Sequence, residues 1–249
     1  MSDSGGQIIV VSNQKGGTGK TTTAAIMAQA AKYKGLRALA IDMDPQANLS
    51  LALAADASKG PGSYGLLTGA PAADLIQTTA QGIEVIPAAW DLATVTSSKA
   101  SARRLQKALE PIRDSYDLIV IDTPSTAGEL QYNAMQAATG LVVPLVIDTY
   151  NIQSLYQITD TARQIQRTNP GLSFTGMLIT QYRGRANFAK QARELIIEQA
   201  EALGVPYLGT VRIGTAVQEA AGFRESLFDY APRSNAAKDY LRIFEKIII

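Results

Sequence analysis

Short apolar runs rich in β-branched residues alternate along the chain with segments of helical periodicity. Such runs are typical of strands that are buried on both faces of a sheet. Their alternation with helices predicts an α/β fold, a mainly parallel twisted sheet with helices on both faces, connected by right-handed crossovers. The predicted strands span residues 8–11, 38–41, 83–87, 118–121, 141–147, 176–180 and 205–211, the last of them at an edge or at the end of the sheet.

The segments between these strands predict helices and one long loop. Residues 21–34 fit a helix that ends at Gly35, and residues 101–113 fit a second helix. Residues 54–65 contain Pro61 and several glycines, a composition that predicts a surface loop. The polar residues 1–6 are expected to be disordered, which leaves residues 7–249 as a single domain.

Composition restricts the chemistry that this fold can carry out. A chain of 249 residues with 46% apolar content can bury a large core within one α/β domain. The absence of cysteine and histidine excludes disulfides, thiolate nucleophiles, imidazole bases and the usual zinc ligands. A net charge of +1 means that binding to DNA or anionic lipid must come from a local patch. The N-terminus lacks signal-peptide features, so a cytoplasmic protein is expected.

A glycine-rich segment follows the first predicted strand and leads directly into the first predicted helix. This is the context of a phosphate-binding P-loop, in which backbone N–H groups and the helix dipole converge on phosphate oxygens. A lysine and a hydroxyl at the start of the helix then contact the β and γ phosphates and Mg²⁺. The residues predicted to bind nucleotide are Lys15, Gly16, Gly17, Thr18, Gly19, Lys20, Thr21 and Thr22, with Thr21 also predicted to ligate the metal.

Carboxylates come at the ends of two other predicted strands. Asp122 follows four apolar residues, the pattern of a Walker B strand, and is predicted to hold Mg²⁺ through water. Asp42 and Asp44 end the strand at residues 38–41. Because parallel strands end at the same edge of a sheet, these carboxylates are expected beside the phosphates.

The loop departs from the ordinary P-loop pattern, since Gln14 replaces its first glycine and Lys15 is an additional lysine. A Lys-Gly-Gly-x-Gly-Lys-Thr-Thr string resembles the deviant Walker A family, which includes ParA and MinD. Nearly the whole chain is similar to ParA-type partition ATPases, in their short form without an N-terminal DNA-binding extension. Matching segments occur at residues 64–69, 86–93, 104–109 and 231–237.

The resemblance implies a mechanism. Two ATP-loaded subunits would pack face to face, and Lys15 of each would reach the phosphates bound by the other. By the same resemblance Asp44 positions the attacking water, Asp42 lies near the metal, and Arg212 and Ile213 enclose the adenine. The catalytic residues are therefore expected to be Lys15, Lys20 and Asp44. Hydrolysis is expected to be slow and to be stimulated by a ParB-like or ribbon-helix-helix partner, while the dimer binds double-stranded DNA without sequence preference.

A basic cluster supports DNA binding. Arg183, Arg185, Lys190 and Arg193 lie close together in sequence at a junction between a loop and a helix, where they could neutralise phosphates. Arg185 matches a family position that is implicated in DNA binding, and Arg224 and Arg233 lie near other such positions. Ala216, in contrast, stands where many relatives have a second basic contact.

Two alternatives remain open at this point. The first is a MinD-like regulator that cycles on membranes through the apolar C-terminal residues 240–249. The weakly basic character of this segment favours instead a helix that is docked on the sheet. The second is a positioning ATPase that uses the same DNA track for a cargo other than DNA.

Overall fold

Alternate residues of each central strand bury their side chains in different cores. On the first strand, Ile8 and Val10 face one layer of helices, whereas Ile9 and Val11 face the other. A strand that is buried on both faces carries a nearly continuous apolar sequence, because neither face needs polar residues. The computed structural model, which describes residues 6–95, 103–148, 151–184 and 186–248, therefore has a sheet between two layers of helices.

The described residues form eight strands in one sheet, ordered β3-β4-β2-β5-β1-β6-β7-β8. All pairings are parallel except that of β3 with β4 at one edge. The strands are β1 Gln7–Val11, β2 Ala38–Asp42, β3 Gln77–Thr78, β4 Glu84–Ile86, β5 Leu118–Asp122, β6 Gly140–Val146, β7 Ser173–Tyr182 and β8 Tyr207–Arg212. This arrangement confirms the predicted fold class and places β8 at the second edge.

Ten α-helices are found in the same described residues. One layer contains α3 Gly62–Thr68, α4 Arg104–Leu109, α5 Glu129–Ala137, α6 Asn151–Gln166 and α7 Asn187–Ala202. The other contains α1 Lys20–Tyr33, α2 Asn48–Ala52, α8 Ala216–Phe223, α9 Leu227–Tyr230 and α10 Asn235–Ile247. None of these helices combines the length and the apolar character that a membrane crossing requires.

The helix α1 lies almost completely buried behind the site. Every residue from Thr23 to Ala31 is buried, and most are alanines, which allow the helix to approach the strands closely. Gly35 ends the helix as predicted: it takes a left-handed φ of 77°, and the Leu36 N–H returns to the Ala31 carbonyl at 2.9 Å. Such a turn satisfies the last carbonyls of a helix.

Two local predictions were wrong, and the close packing of the chain explains one of them. The segment 54–65 is not a loop throughout, because α3 begins at Gly62 with Ser63 buried. A Cβ at Gly62 would lie 2.2 Å from the Pro87 carbonyl oxygen, so this glycine permits close packing. The helix predicted at residues 101–113 spans only Arg104–Leu109, with residues 101 and 102 outside the described part.

The two ends of the chain differ in what the structure describes. Residues 1–5, predicted with Gly6 to be disordered, lie outside the described residues, while Gly6 itself is buried beside the Tyr116 carbonyl. The C-terminal helix α10 packs against β8 and α1. It buries Tyr240, Ile243, Phe244 and Ile247. Its apolar face is therefore covered by the protein, as the docked-helix prediction expected.

Candidate functional site

The phosphate loop connects β1 to α1 at the carboxyl edge of the sheet. Gly17 and Gly19 take left-handed φ values of 73° and 86°, which turn the chain into the helix with little steric cost. Gly16 and Gly17 are exposed, whereas Thr18 is buried. The first turn of α1 has no side-chain cap, so its N-terminal N–H groups remain available to an anion.

Lys20 holds this loop in place from within. The side chain is only 6% exposed, and its Nζ donates to the Lys15 carbonyl at 3.0 Å and to the Ser125 hydroxyl at 2.6 Å. Burial lowers the pKa of Lys20, while the nearby negative charges of Asp122 and Asp44 act in the opposite direction. A buried ammonium between a loop and two carboxylates is arranged to receive a polyanion.

Asp42 and Asp122 lie side by side, because β2 and β5 are neighbours and these two residues are paired in register. Both side chains are fully buried. The pKa of Asp122 is raised to about 8, chiefly by burial and also by the charge of Asp42, although the Thr21 hydroxyl and Lys20 oppose this shift. The pKa of Asp42 is raised to about 6, chiefly by burial, because hydrogen bonds from Ser50 and Asp44 offset only part of that effect.

The two carboxylates nevertheless differ in their hydrogen bonds. The Oδ2 of Asp42 accepts from the Ser50 N–H at 2.8 Å and from the Ser50 hydroxyl at 2.7 Å, and its Oδ1 accepts from the Asp44 N–H at 3.1 Å. Asp42 thereby ties β2 to α2. Neither oxygen of Asp122 has a hydrogen-bond partner of ordinary geometry within the described residues.

An unpaired buried carboxylate is costly unless a cation or a proton neutralises it. Asp122, with the Thr21 hydroxyl nearby, therefore fits a divalent metal such as Mg²⁺, whose preferred ligands are oxygens and water. When bound beside phosphates, such a metal would neutralise the charge that develops on their oxygens. The described residues contain no cluster of three acidic side chains that could hold a metal by themselves, so the remaining ligands would come from water and phosphate.

Asp44 and Lys15 lie nearer the surface. Asp44 is half-buried, and its carboxylate accepts from the Gln46 N–H at 3.0 Å within the turn that precedes α2. Lys15 forms an ion pair with Asp148, just beyond the end of β6, and both side chains are partly exposed. The structure thus places the second lysine of the motif at the rim of the site, folded onto its own chain.

A cleft of about 150 Å³ opens beside the loop, between the ends of β7 and β8. Gly19 and Thr22 line one side, and Ile213 lines the other. Arg212 also lines the cleft, but its guanidinium is engaged by Asp239 through two hydrogen bonds of 2.7 Å. Four of the residues predicted to bind nucleotide therefore line one cleft, namely Gly19, Thr22, Arg212 and Ile213.

The predicted DNA-binding residues fall in separate regions. Arg183 and Lys190 are exposed at the junction of β7 and α7, and Arg185 between them lies outside the described residues. Arg224 ends α8 and Arg233 precedes α10, both exposed. Arg193 turns inward, with its guanidinium 5.7 Å from the centre of the Tyr182 ring. The exposed part of the cluster is therefore smaller than its sequence suggests.

The structure also shows site residues that the sequence did not indicate. Ser125 binds Lys20, Asp148 binds Lys15, Ser50 binds Asp42, and Gln181 donates to the Gly17 carbonyl at 3.0 Å. Ser125 lies three residues after Asp122, and this closeness to the Walker B strand is the one local signal that could have identified it.

Comparison with known proteins agrees with this geometry. A family model described as an AAA domain matches residues 6–174. The chain is 33% identical to the chromosome-partitioning ATPase Soj of Thermus thermophilus, over 96% of this chain and 94% of the relative. It is 34% identical to the chromosome partitioning protein ParA of Myxococcus xanthus, over 98% of this chain and 88% of the relative.

A solved structure extends the comparison to the bound site. The septum site-determining protein MinD of Pyrococcus horikoshii, complexed with Mg-ADP, is 25% identical with a TM-score of 0.79, over 97% of this chain and 95% of that chain. The phosphate loop, the buried Lys20 and the carboxylate of Asp122 fit a nucleotide with Mg²⁺, as in that complex. For this chain the nucleotide is ATP. Taken with the full-length relatives, this shows that the chain belongs to the ParA/MinD family of P-loop ATPases.

Proposed function

We propose that this protein is a ParA-type partition ATPase, which forms an ATP-bound sandwich dimer on DNA and positions plasmid or chromosomal cargo. The observation that carries the proposal is Lys15 at the rim of the phosphate site, at the edge of the sheet where the strands end. A lysine that only held the phosphates of its own subunit would point inward, as Lys20 does. The partition relatives, which match almost the entire chain, support this reading.

The roles of the site residues follow from their positions. Residues 15–22 would hold the phosphates through their backbone N–H groups, with Lys20 on the β and γ oxygens. Thr21 and Asp122 would hold Mg²⁺, and Asp42 would fix the adjoining segment that contains Asp44. Asp44 would orient water toward the γ phosphate. The site contains no histidine, and phosphoryl transfer relies mainly on positioning and charge stabilisation, so slow turnover is expected.

DNA binding is assigned to the exposed basic residues at the junction of β7 and α7. Arg183 and Lys190 project from a segment that begins at the nucleotide cleft, since Gln181 at the end of β7 lines it. Contacts from such side chains to phosphates give affinity that is independent of sequence and sensitive to salt. The protein would act in the cytoplasm on the nucleoid, with a ParB-like or ribbon-helix-helix protein stimulating hydrolysis.

The experiment that tests the proposal measures binding of the purified protein to arbitrary duplex DNA. Fluorescence anisotropy would be recorded at low salt with ATP and Mg²⁺, with ADP and Mg²⁺, and without nucleotide. Binding that requires ATP and weakens as salt rises is the expected result. If the ATP-bound protein fails to bind DNA at low salt, the partition function is wrong, whatever its ATPase activity. If the full chain with ATP and Mg²⁺ does not bind liposomes, the alternative of a membrane anchor in the C-terminal helix is excluded.

A further inference from the structure

Two consecutive side chains at the end of β7 bind two consecutive carbonyls of the phosphate loop. The Thr180 hydroxyl lies 2.8 Å from the Thr18 carbonyl oxygen. The side-chain amide of Gln181 donates from its Nε2 to the Gly17 carbonyl oxygen at 3.0 Å. Since only the nitrogen end of an amide can donate, this contact also fixes which way the Gln181 amide faces. The loop is thus held from outside at two adjacent peptide groups.

The backbone of Gln181 adds to the significance of its side chain. Its φ of 53° lies in the left-handed region, where residues other than glycine are sterically disfavoured. The conformation coincides with a shift in the pairing of β7 with β8 between Ile179 and Tyr182, beyond which the Ile213 N–H donates to the Tyr182 carbonyl at 3.1 Å. Glycine would satisfy this backbone more easily, but it could not contact Gly17.

Peptide planarity links this contact to the phosphate site. In a trans peptide group the C=O and the N–H point in opposite directions. When Gln181 holds the Gly17 carbonyl on the outer side of the loop, the N–H of Thr18 must face the opposite side. In the same way, Thr180 holds the Thr18 carbonyl and so directs the N–H of Gly19. These inward N–H groups are the ones that a P-loop presents to phosphate oxygens.

The Gly17 side of the bonded peptide has few other packing restraints. Gly17 is exposed, has a left-handed φ of 73°, and has nothing within 4 Å of the position that a Cβ would occupy. Glycine loses more conformational freedom than any other residue when it is ordered. A contact that fixes this peptide before the nucleotide arrives therefore reduces the entropy that binding must lose.

We propose that Gln181 is a positioning residue for the nucleotide, which holds the Gly17–Thr18 peptide with its N–H toward the phosphates and thereby slows nucleotide release. Gln181 acts through the loop and needs no contact with ATP itself. The proposal requires only that the chain binds nucleotide. It is independent of DNA, of dimerisation and of any partner, so its failure would leave the partition function untouched, and the reverse also holds.

The test compares Gln181→Gly with the wild-type protein. If the Gln181 side chain positions the loop, its loss speeds nucleotide release. If the side chain has no such role, glycine only relieves the left-handed backbone and release is unchanged. Release of ADP carrying a fluorescent methylanthraniloyl group would be followed by stopped flow, and the melting temperature would be measured on the same samples without nucleotide. The glycine variant should release nucleotide roughly 2- to 12-fold faster, the range for one lost hydrogen bond, with a melting temperature no lower than that of the wild type. The KM for ATP should rise by a similar factor. The kcat should stay within about 2-fold of the wild-type value, because the variant changes how the loop is held but leaves the charges beside the phosphates in place.

Two further variants sharpen the result. In Gln181→Lys the ammonium can donate to the same carbonyl, so release should return to within about 2-fold of the wild-type rate. Gln191→Leu is the matched control, since Gln191 is an exposed glutamine on α7 that does not line the cleft. It should release ADP at the wild-type rate. Wild-type release by Gln181→Gly would overturn the proposal, as would a lowered melting temperature that accounts for the faster release, or failure of Gln181→Lys to restore slow release.

Discussion

Lys15 and Asp148 form an ion pair within a single chain, between the phosphate loop and the end of β6. The resemblance to partition ATPases assigns Lys15 to the phosphates of a second subunit. In the proposed dimer Lys15 would extend away from its own chain toward the second subunit, so its contact with Asp148 would oppose dimerisation.

Replacing Asp148 with asparagine should favour the dimer. Both side chains are partly exposed, so each pair contributes about 0.2–1 kcal/mol. A dimer would lose one pair from each subunit, so the substitution should lower the dimer dissociation constant by up to about 30-fold. Sedimentation equilibrium with a non-hydrolysable ATP analogue measures this constant. Asp160→Asn, at an exposed acidic residue on α6, is the control.

Lys15→Ala should bind nucleotide as a monomer without forming the dimer. Normal dimerisation of that variant would remove Lys15 from the interface.

Replacing Lys20 with alanine should abolish measurable nucleotide binding. The variant loses the buried charge that faces the phosphates and the hydrogen bonds to Lys15 and Ser125 that hold the loop. Hydrogen bonds to charged groups contribute about 1.5–3 kcal/mol each, and several are lost together. Isothermal titration calorimetry with ATP and Mg²⁺ gives the affinity. Lys34→Ala, at the exposed end of α1, should bind normally, and tight binding by Lys20→Ala would contradict the assigned role.

Replacing Asp44 with alanine should separate binding from hydrolysis. Among the described residues, the Asp44 carboxylate accepts a hydrogen bond only from the Gln46 N–H, within its own turn. Its removal should therefore leave the phosphate loop and Asp122 in place. ATP should remain bound, hydrolysis should fall by at least about 100-fold, and the ATP-bound dimer should accumulate. Phosphate release and gel filtration report the two effects. Unchanged phosphate release would show that Asp44 does not orient the water.

Asp122 should make the stability of the nucleotide-free protein depend on pH. Its pKa is raised to about 8 and that of Asp42 to about 6, mainly by burial, from an ordinary value of 3.8. Between pH 3.8 and these values, the folded chain retains protons that the unfolded chain has released. Stability from these groups is therefore complete below pH 3.8 and is lost as the pH rises toward 8.

Asp122→Asn tests this dependence because an amide cannot lose that proton. At pH 8 the variant should be more stable than the wild type by at least about 1 kcal/mol, which is about 2–4 °C in melting temperature. At pH 4 the two proteins should melt close together. Addition of Mg²⁺ with nucleotide should stabilise the wild type at pH 8 more than the variant. Equal melting temperatures at pH 8 would mean that Asp122 is not held in an unfavourable charged state, and Asp91→Asn, an exposed aspartate, is the control.

The sequence was sufficient for features that depend on neighbouring residues. Buried parallel strands carry continuous apolar runs, and a P-loop needs glycines, lysine and threonine at fixed spacing, so both could be recognised without a structure. The partners of these residues could not. Ser125 lies 105 positions from Lys20, Asp148 lies 133 from Lys15, and Gln181 lies 164 from Gly17. They meet because the parallel sheet brings the ends of β5, β6 and β7 to one edge.

Composition was also misleading where packing decides conformation. The glycines of residues 54–65 predict a loop, but Gly62 allows α3 to pack against the Pro87 carbonyl. The short strand β3 was not expected, since two residues are too few to form a recognisable pattern. Arg193 was grouped with surface cations, although it stacks on Tyr182, because sequence spacing alone does not distinguish the two faces of α7.

The exposed basic residues can be tested by the salt dependence of DNA binding. Each phosphate contact that is lost should reduce the slope of log affinity against log salt by about 0.9. The double variant Arg183→Ala with Lys190→Ala removes two contacts from each subunit, so the slope for a bound dimer should fall by about 3.6. The reduction should be the same for unrelated duplex sequences, since phosphate contacts carry no sequence information. Anisotropy titrations of the ATP-bound protein across a range of salt concentrations supply the slopes.

Arg193→Ala is the informative comparison for this measurement, because it removes a positive charge from the same helix. Its guanidinium lies over the Tyr182 ring, and its Nε is buried without a hydrogen-bond partner in the described residues. The loss should therefore appear as lower stability, on the order of 1 kcal/mol for a partly desolvated cation–π contact, with the salt slope of DNA binding unchanged. A slope that falls in Arg193→Ala but not in the double variant would assign the phosphate contact to Arg193 and remove Arg183 and Lys190 from the DNA surface.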